Sequence, residues 1–172
     1  MDYLNYKKLL RDAKNSDLKV TLKKTDEKGV GLFCSGNKPI KKGEIIAFYK
    51  VKIFKEKDYE SPTNFVYSFQ VYRKNGQEYK RLIADVNEEC FPPPEEDNIS
   101  YWAPFANEPS QNQRINAEID IDVSGNYANK TFSQVGEFAI YKLVANHMIR
   151  PGEEILWFYG DNYDRNYKVG KT

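Results

Sequence analysis

Ile149-Arg150-Pro151-Gly152-Glu153-Glu154-Ile155-Leu156-Trp157-Phe158-Tyr159-Gly160-Asp161 is the stretch that weighs most in reading this chain. Pro151-Gly152 is a turn pair, and Ile155 to Tyr159 is a short apolar run closed by a glycine. Just upstream, Gly136 to Val144 reads as a strand, and within it Phe138-Ala139-Ile140-Tyr141-Lys142 has the look of a core strand. His147, between that strand and the turn, is the sole histidine and reads as structural. By itself Tyr159 would be a core aromatic at a strand end, the default in a chain with 13 tyrosines.

Working outward, Asn116 to Val123 alternates Ala117, Ile119, Ile121 and Val123, which predicts another strand. Ser100 to Asn107 is a short helical candidate with Trp102 and Phe105 three apart. Cys90 to Asn98, with three prolines and the acidic cluster Glu95-Glu96-Asp97, is expected to be an exposed loop. Phe65 to Arg73 and Glu78 to Ala84 flank Asn75-Gly76, the strongest short hairpin signal present. Ile45 to Tyr49 is an apolar run entered from the turn Ile40-Lys41-Lys42-Gly43-Glu44, and Gly29-Val30-Gly31 is a turn into Leu32-Phe33-Cys34. Asp17 to Lys24, with Leu18, Val20 and Leu22 alternating, is a half-buried strand. Residues 2–14 form a short amphipathic helix bearing Tyr3, Tyr6, Leu9 and Leu10. Many short strands, Gly and Pro turns and little helix predict one mostly β domain over residues 1–172, without internal repeats.

Composition limits the chemistry. An apolar share of 40% across 172 residues is enough for a packed core. No apolar run is long enough to span a membrane, and the N-terminus lacks the apolar stretch of a signal peptide, so a soluble intracellular protein, nuclear or cytoplasmic, is expected. With 26 basic against 25 acidic residues there is no global field of the kind that marks nucleic-acid binders. Cys34 and Cys90 are too few and too far apart for a zinc cluster, and one histidine cannot build a histidine metal site, so no metal is expected.

Three blocks, in order, resemble the SET-domain family of protein lysine methyltransferases. The first is Lys28-Gly29-Val30-Gly31-Leu32-Phe33 with Ile40 to Glu44. The second is Trp102-Ala103-Pro104-Phe105-Ala106-Asn107, continuing to Asn116-Ala117-Glu118. It is similar to the family's Arg-Phe-Ile-Asn-His-Ser-Cys-x-Pro-Asn segment. Asn107 matches the Asn before the family's His, and Asn116 the closing Asn. Glu108 stands where His is usual, Pro109 follows it, and the Asn-to-Asn spacing is longer by three residues. The third block, Gly152-Glu153-Glu154 to Tyr159-Gly160, resembles the family's Gly-Glu-Glu-Leu-x-x-x-Tyr-Gly ending, in a form also seen in PR domains.

The resemblance implies a SET fold over residues 18–163, several small antiparallel sheets around a pseudoknotted core, with residues 1–17 an N-terminal helix and 164–172 a tail. It implies S-adenosylmethionine as methyl donor, with S-adenosylhomocysteine as product. Gly29, Val30, Gly31, Asn107, Glu108 (by its backbone) and Tyr159 would lie around the cofactor, and Tyr159 would be catalytic. Trp157, Phe158 and Tyr101 are candidates for the lysine channel or cofactor shell. Trp157 falls where the family often has a Phe or Tyr whose bulk limits the number of methyl groups admitted. The implied substrate is a lysine-bearing protein or peptide, with histones among the candidates, entering extended along a sheet edge. The chain lacks the cysteines of a post-SET zinc module. The aromatic tail Tyr163 to Tyr167, or a partner subunit of a homodimer, is expected to complete the channel.

Such chemistry suits the residues. In-line methyl transfer needs alignment more than acid–base machinery, and positioning alone can supply several kcal/mol of a barrier, on the order of 7–11 at best. A dry aromatic channel disfavours ammonium and so favours the neutral, nucleophilic lysine. Two alternatives stand beside this reading. One is a catalytically inactive SET-like interaction module, to which Glu108 and Pro109 point. The other, more distant, is a β-barrel binder of single-stranded nucleic acid, against which the balanced charge argues.

Overall fold

The computed structural model describes residues 5–13, 17–75, 78–94, 98–120, 135–161 and 163–170. Tyr3, Gly76, the cluster Glu95-Glu96-Asp97 and the strand end Ile121 to Val123 lie outside the described residues.

The fold is mostly β, with two antiparallel sheets among the described residues. In the smaller, β1 (Val20–Lys24) pairs with β2 (Val30–Cys34) so that Leu22 faces Leu32. The larger has the order β4-β5-β3-β7-β6, from β3 (Ile45–Lys55), β4 (Phe69–Asn75), β5 (Glu78–Asp85), β6 (Ala117–Asp120) and β7 (Phe138–Ala145). The expected helix shortens to α1 (Tyr6–Asp12), begun by Asn5, whose side-chain oxygen accepts from the amides of Lys7 and Lys8. Tyr6, Leu9 and Leu10 of α1 pack onto the core.

Three expectations shift, each for a physical reason. β3 runs six residues past Tyr49, because Ala47, Tyr49, Val51 and Ile53 point inward while Lys50 and Lys52 point outward. The lysines end the continuous apolar run but leave the period of two intact. Phe65 to Ser68 is turn and not strand: Asn64 (φ 53°) and Phe65 (φ 62°) are both left-handed, which breaks the ladder ahead of β4. The helical candidate at Ser100 to Asn107 reduces to one 3-10 turn, Ala103–Phe105, with Pro104 inside it. His147 is exposed, its ring bonded to Asn146 Oδ1 at 2.7 Å, so it contributes nothing to the core.

The final apolar run forms isolated bridges in place of a full strand. The Ile155 amide donates to Leu32 O at 2.8 Å, and the Trp157 amide to Asn107 O at 3.0 Å. From the other side the Asn116 side chain grips the same run: its Nδ2 donates to Glu154 O at 2.9 Å, and its Oδ1 accepts from the Leu156 amide at 2.8 Å. The amides of Asn116 and Ala117 both donate to Leu156 O. Further along, Ser110 bridges Val169, and the Gly170 amide donates to Pro109 O. The loop from Asn107 to Asn116 therefore holds the C-terminal run at both of its ends. This is the crossing expected of a pseudoknotted core.

Asn116 is thus a structural clasp. Asn116→Ala leaves two main-chain groups beside the core unpaired, at about 1–3 kcal/mol each. Urea denaturation should show a loss of about 2–6 kcal/mol, and a loss under about 0.5 kcal/mol would show that water replaces the clasp.

Candidate active site

Two neighbouring groups of residues converge where the C-terminal run crosses the loop. The first surrounds the glycine turn. Gly29 takes φ +75°, a conformation that side chains resist, and its carbonyl accepts from both the amide and the hydroxyl of Thr25. Gly31 is needed for a different reason. A Cβ there would lie 2.9 Å from Glu154 Oε1, 3.0 Å from Thr25 Cγ2 and 3.1 Å from Asn107 Nδ2. Asn107 Nδ2 donates to Val30 O at 3.2 Å and to Glu154 Oε1 at 3.1 Å, locking turn, loop and C-terminal run together. Lys28 completes the group, its Nζ 3.6 Å from Glu154 Oε2 and 2.6 Å from Gln113 Oε1. A cleft of about 720 Å³ adjoins it, lined by Gln113, Asn116, Asn146, His147, Glu154 and Leu156 among others.

The second group is an aromatic box. Trp157 and Tyr159 stand edge to face at 4.9 Å, Tyr159 meets Tyr163 at 4.8 Å, and Trp157 meets Tyr49 at 6.3 Å. Phe69 and Tyr141 extend it behind Tyr49. The polar ends are tied to main chain. Tyr159 Oη and Trp157 Nε1 both donate to Ala106 O, at 2.8 and 3.1 Å, and Tyr49 Oη donates to Tyr67 O at 2.9 Å. Burial pushes the Tyr159 and Tyr49 phenols well above their ordinary value, with the surrounding tyrosines adding to it. Burial also pushes Tyr67 up to about 12. All three phenols therefore stay protonated at physiological pH.

Glu108 links the two groups. Only 3% exposed, it accepts from the Tyr159 amide, from Arg165 through two nitrogens and from the Tyr167 hydroxyl. Its side chain is thus spent inside the protein. Tyr101 is not brought to this place. It packs on Phe48 at 5.3 Å, and Phe48 and Tyr49 are successive strand residues on opposite faces. Phe158 lies on the Arg165 side, its ring 5.4 Å from the guanidinium carbon. The sequence motifs contain Lys28 and Glu154 without marking a role for them, and do not single out Tyr49, Tyr67 or Arg165. Tyr49 carried a signal, as the one polar-tipped residue on the inward register of β3, whereas Arg165 carried none.

No protein-family model and no curated protein matches the chain. Solved structures are similar to it. A candidate histone methyltransferase of Plasmodium falciparum has 21% identity and a TM-score of 0.47, over 86% of this chain and 97% of that one. CpSET8 from Cryptosporidium has 20% identity and a TM-score of 0.46, over 92% and 64%. The methyltransferase domain of human PR domain-containing protein 2 has 17% identity and a TM-score of 0.44, over 90% and 86%. Likeness of this extent assigns no residue, and the site is read from its own geometry.

The raised phenols make stability pH-dependent. A tyrosine that ionises near 10 when unfolded but higher when folded binds its proton more tightly in the folded state. Its contribution is whole below pH 10 and is lost above it, by about 1.4 kcal/mol per pH unit for each such group. Urea unfolding should give a plateau below pH 10 and a steep fall above it, shallower in a Tyr49→Phe, Tyr159→Phe double variant. A wild-type plateau extending to pH 11.5 would contradict the buried box.

Proposed function

We propose that this protein is a protein-lysine N-methyltransferase using S-adenosylmethionine, with Tyr159 catalytic. The observation that carries the reading is the tyrosine–tryptophan box beside the glycine–asparagine group. The hydroxyl of Tyr159 spends its proton on Ala106 O, so its oxygen lone pairs remain for an amine or a methyl group in the box. Aromatic walls exclude water and lower the affinity of a lysine amine for its proton. Glu108, the carboxylate bonded to the Tyr159 main chain, is matched by Arg165 and does not hold an amine in its charged form. Trp157, fixed through its indole nitrogen, narrows the box, so low methylation states should dominate the product.

The cofactor's fit is supported by the chemistry of the first group. Its methionine end is a zwitterion, and Lys28 and Glu154, 3.6 Å apart, present one charge of each sign beside the glycine turn. Gly29, Val30, Gly31, Asn107 and the backbone of Glu108 would hold it. When bound, it would supply a methyl group on a positively charged sulfur, which would leave as a neutral thioether once an amine already stripped of its proton takes the methyl. The substrate proposed is an extended lysine-bearing peptide, with histone tails among the candidates. The protein would act inside the cell, in nucleus or cytoplasm. An inactive interaction module would keep the same box but show no turnover.

Tyr159→Phe removes one hydroxyl and keeps the ring. If that hydroxyl orients the reacting amine, kcat should fall roughly 30- to 1000-fold, about 2–4 kcal/mol, while cofactor affinity by calorimetry barely changes. Wild-type turnover in a well-folded variant would remove Tyr159 from the mechanism.

A further inference from the structure

Glu108 and Arg165 make a contact that the aromatic box does not explain by itself. The carboxylate is nearly inaccessible and receives four donors: the Tyr159 amide at 2.8 Å, Arg165 Nη2 at 2.8 Å, Arg165 Nε at 3.0 Å and the Tyr167 hydroxyl at 2.8 Å. Two parallel N–H···O bonds from one guanidinium fix both distance and orientation, which a lysine cannot do. The same guanidinium donates to Gly160 O at 2.7 Å and lies 5.3 Å from the centre of the Tyr163 ring and 5.4 Å from that of Phe158. Gly160, at φ +99°, lets the chain fold back at this point. Tyr163, held under the guanidinium, is the ring that meets Tyr159 edge to face.

We propose that Glu108 and Arg165 are a positioning pair, which seats residues 163–167 against the box and so fixes Tyr159 from both sides. The proposal rests on the methyltransferase reading. Glu108 fastens the Tyr159 backbone directly and its ring through Arg165 and Tyr163. The acidic residue in the Asn107–Pro109 segment thereby acquires a purpose: it is the socket for an arginine that follows the box in the chain. A neutral residue at position 108 would leave Arg165 without a counter-charge in a site that is only 15% exposed at the arginine side chain.

The test uses Glu108→Gln, Arg165→Met and Arg165→Lys in the full chain, with melting temperature followed in each. Chymotrypsin digestion reads the seating of the tail, by the rate of cleavage after Tyr163 and Tyr167. Glu108→Gln and Arg165→Met should each raise that rate at least tenfold. They should lower kcat at least tenfold while KM for S-adenosylmethionine stays within threefold, and Arg165→Lys should fall between them and wild type. A purely structural pair would instead lower kcat only in proportion to the folded fraction. Should Glu108→Gln fail to fold, Arg165→Met and Arg165→Lys decide between them. Wild-type cleavage rates in folded charge-removing variants would overturn the pairing. A wild-type protein that protects its tail but transfers no methyl group would sink the methyltransferase reading, and the cleavage rates would still judge the pair.

Discussion

One main-chain oxygen organises the site. Ala106 O, at the end of a single 3-10 turn, receives both the Tyr159 hydroxyl and the Trp157 indole nitrogen. A carbonyl has two lone pairs, and here both are used to set two aromatic rings at a fixed angle to each other. Ala106 itself is almost fully buried, and the turn that carries it packs between β2 and β3. Rigid core thus dictates the placing of groups that are themselves only half-buried. The arrangement depends in turn on the C-terminal run reaching the Asn107–Asn116 loop, since Trp157 and Tyr159 come from one segment and Ala106 from the other.

That crossing is held largely by asparagine. Asn107 binds the glycine turn and the Glu154 side chain, and Asn116 binds the main chain of Glu154 and Leu156. An amide side chain is suited to this task because it donates and accepts at once, and so can satisfy a strand that has no regular neighbour on that side. The two asparagines stand on either side of the same run. The glycine turn, the aromatic box and the Glu108 hub all meet within the resulting frame, although they lie far apart in sequence.

Much of this was legible in the sequence. The alternation in β1, β6 and β7 and the Asn-Gly pair ahead of β5 marked strands, because a period of two is a local property, whereas the expected start of β4 at Phe65 failed on the left-handed Asn64 and Phe65. The separated blocks do meet in the fold, Asn107 reaching the glycine turn and Tyr159 reaching Ala106. What escaped is non-local. Nothing near Arg165 marks it as the partner of Glu108, since the pair is separated by a long stretch and forms only after the tail folds back. The two glycines read alike but serve differently, Gly29 through backbone conformation and Gly31 through crowding by Glu154 and Asn107. Tyr101, expected near the channel, packs on Phe48, on the face of β3 opposite Tyr49.

The account stands or falls on what the box does to a lysine. The most direct measurement is incubation of the protein with S-adenosylmethionine labelled in its methyl group, together with histones and, separately, a whole-cell lysate. Acid hydrolysis and mass spectrometry then identify the labelled residue. The account predicts label in ε-N-methyllysine, chiefly in the monomethyl form. Label confined to other side chains, or none from protein that binds the cofactor by calorimetry, would contradict it.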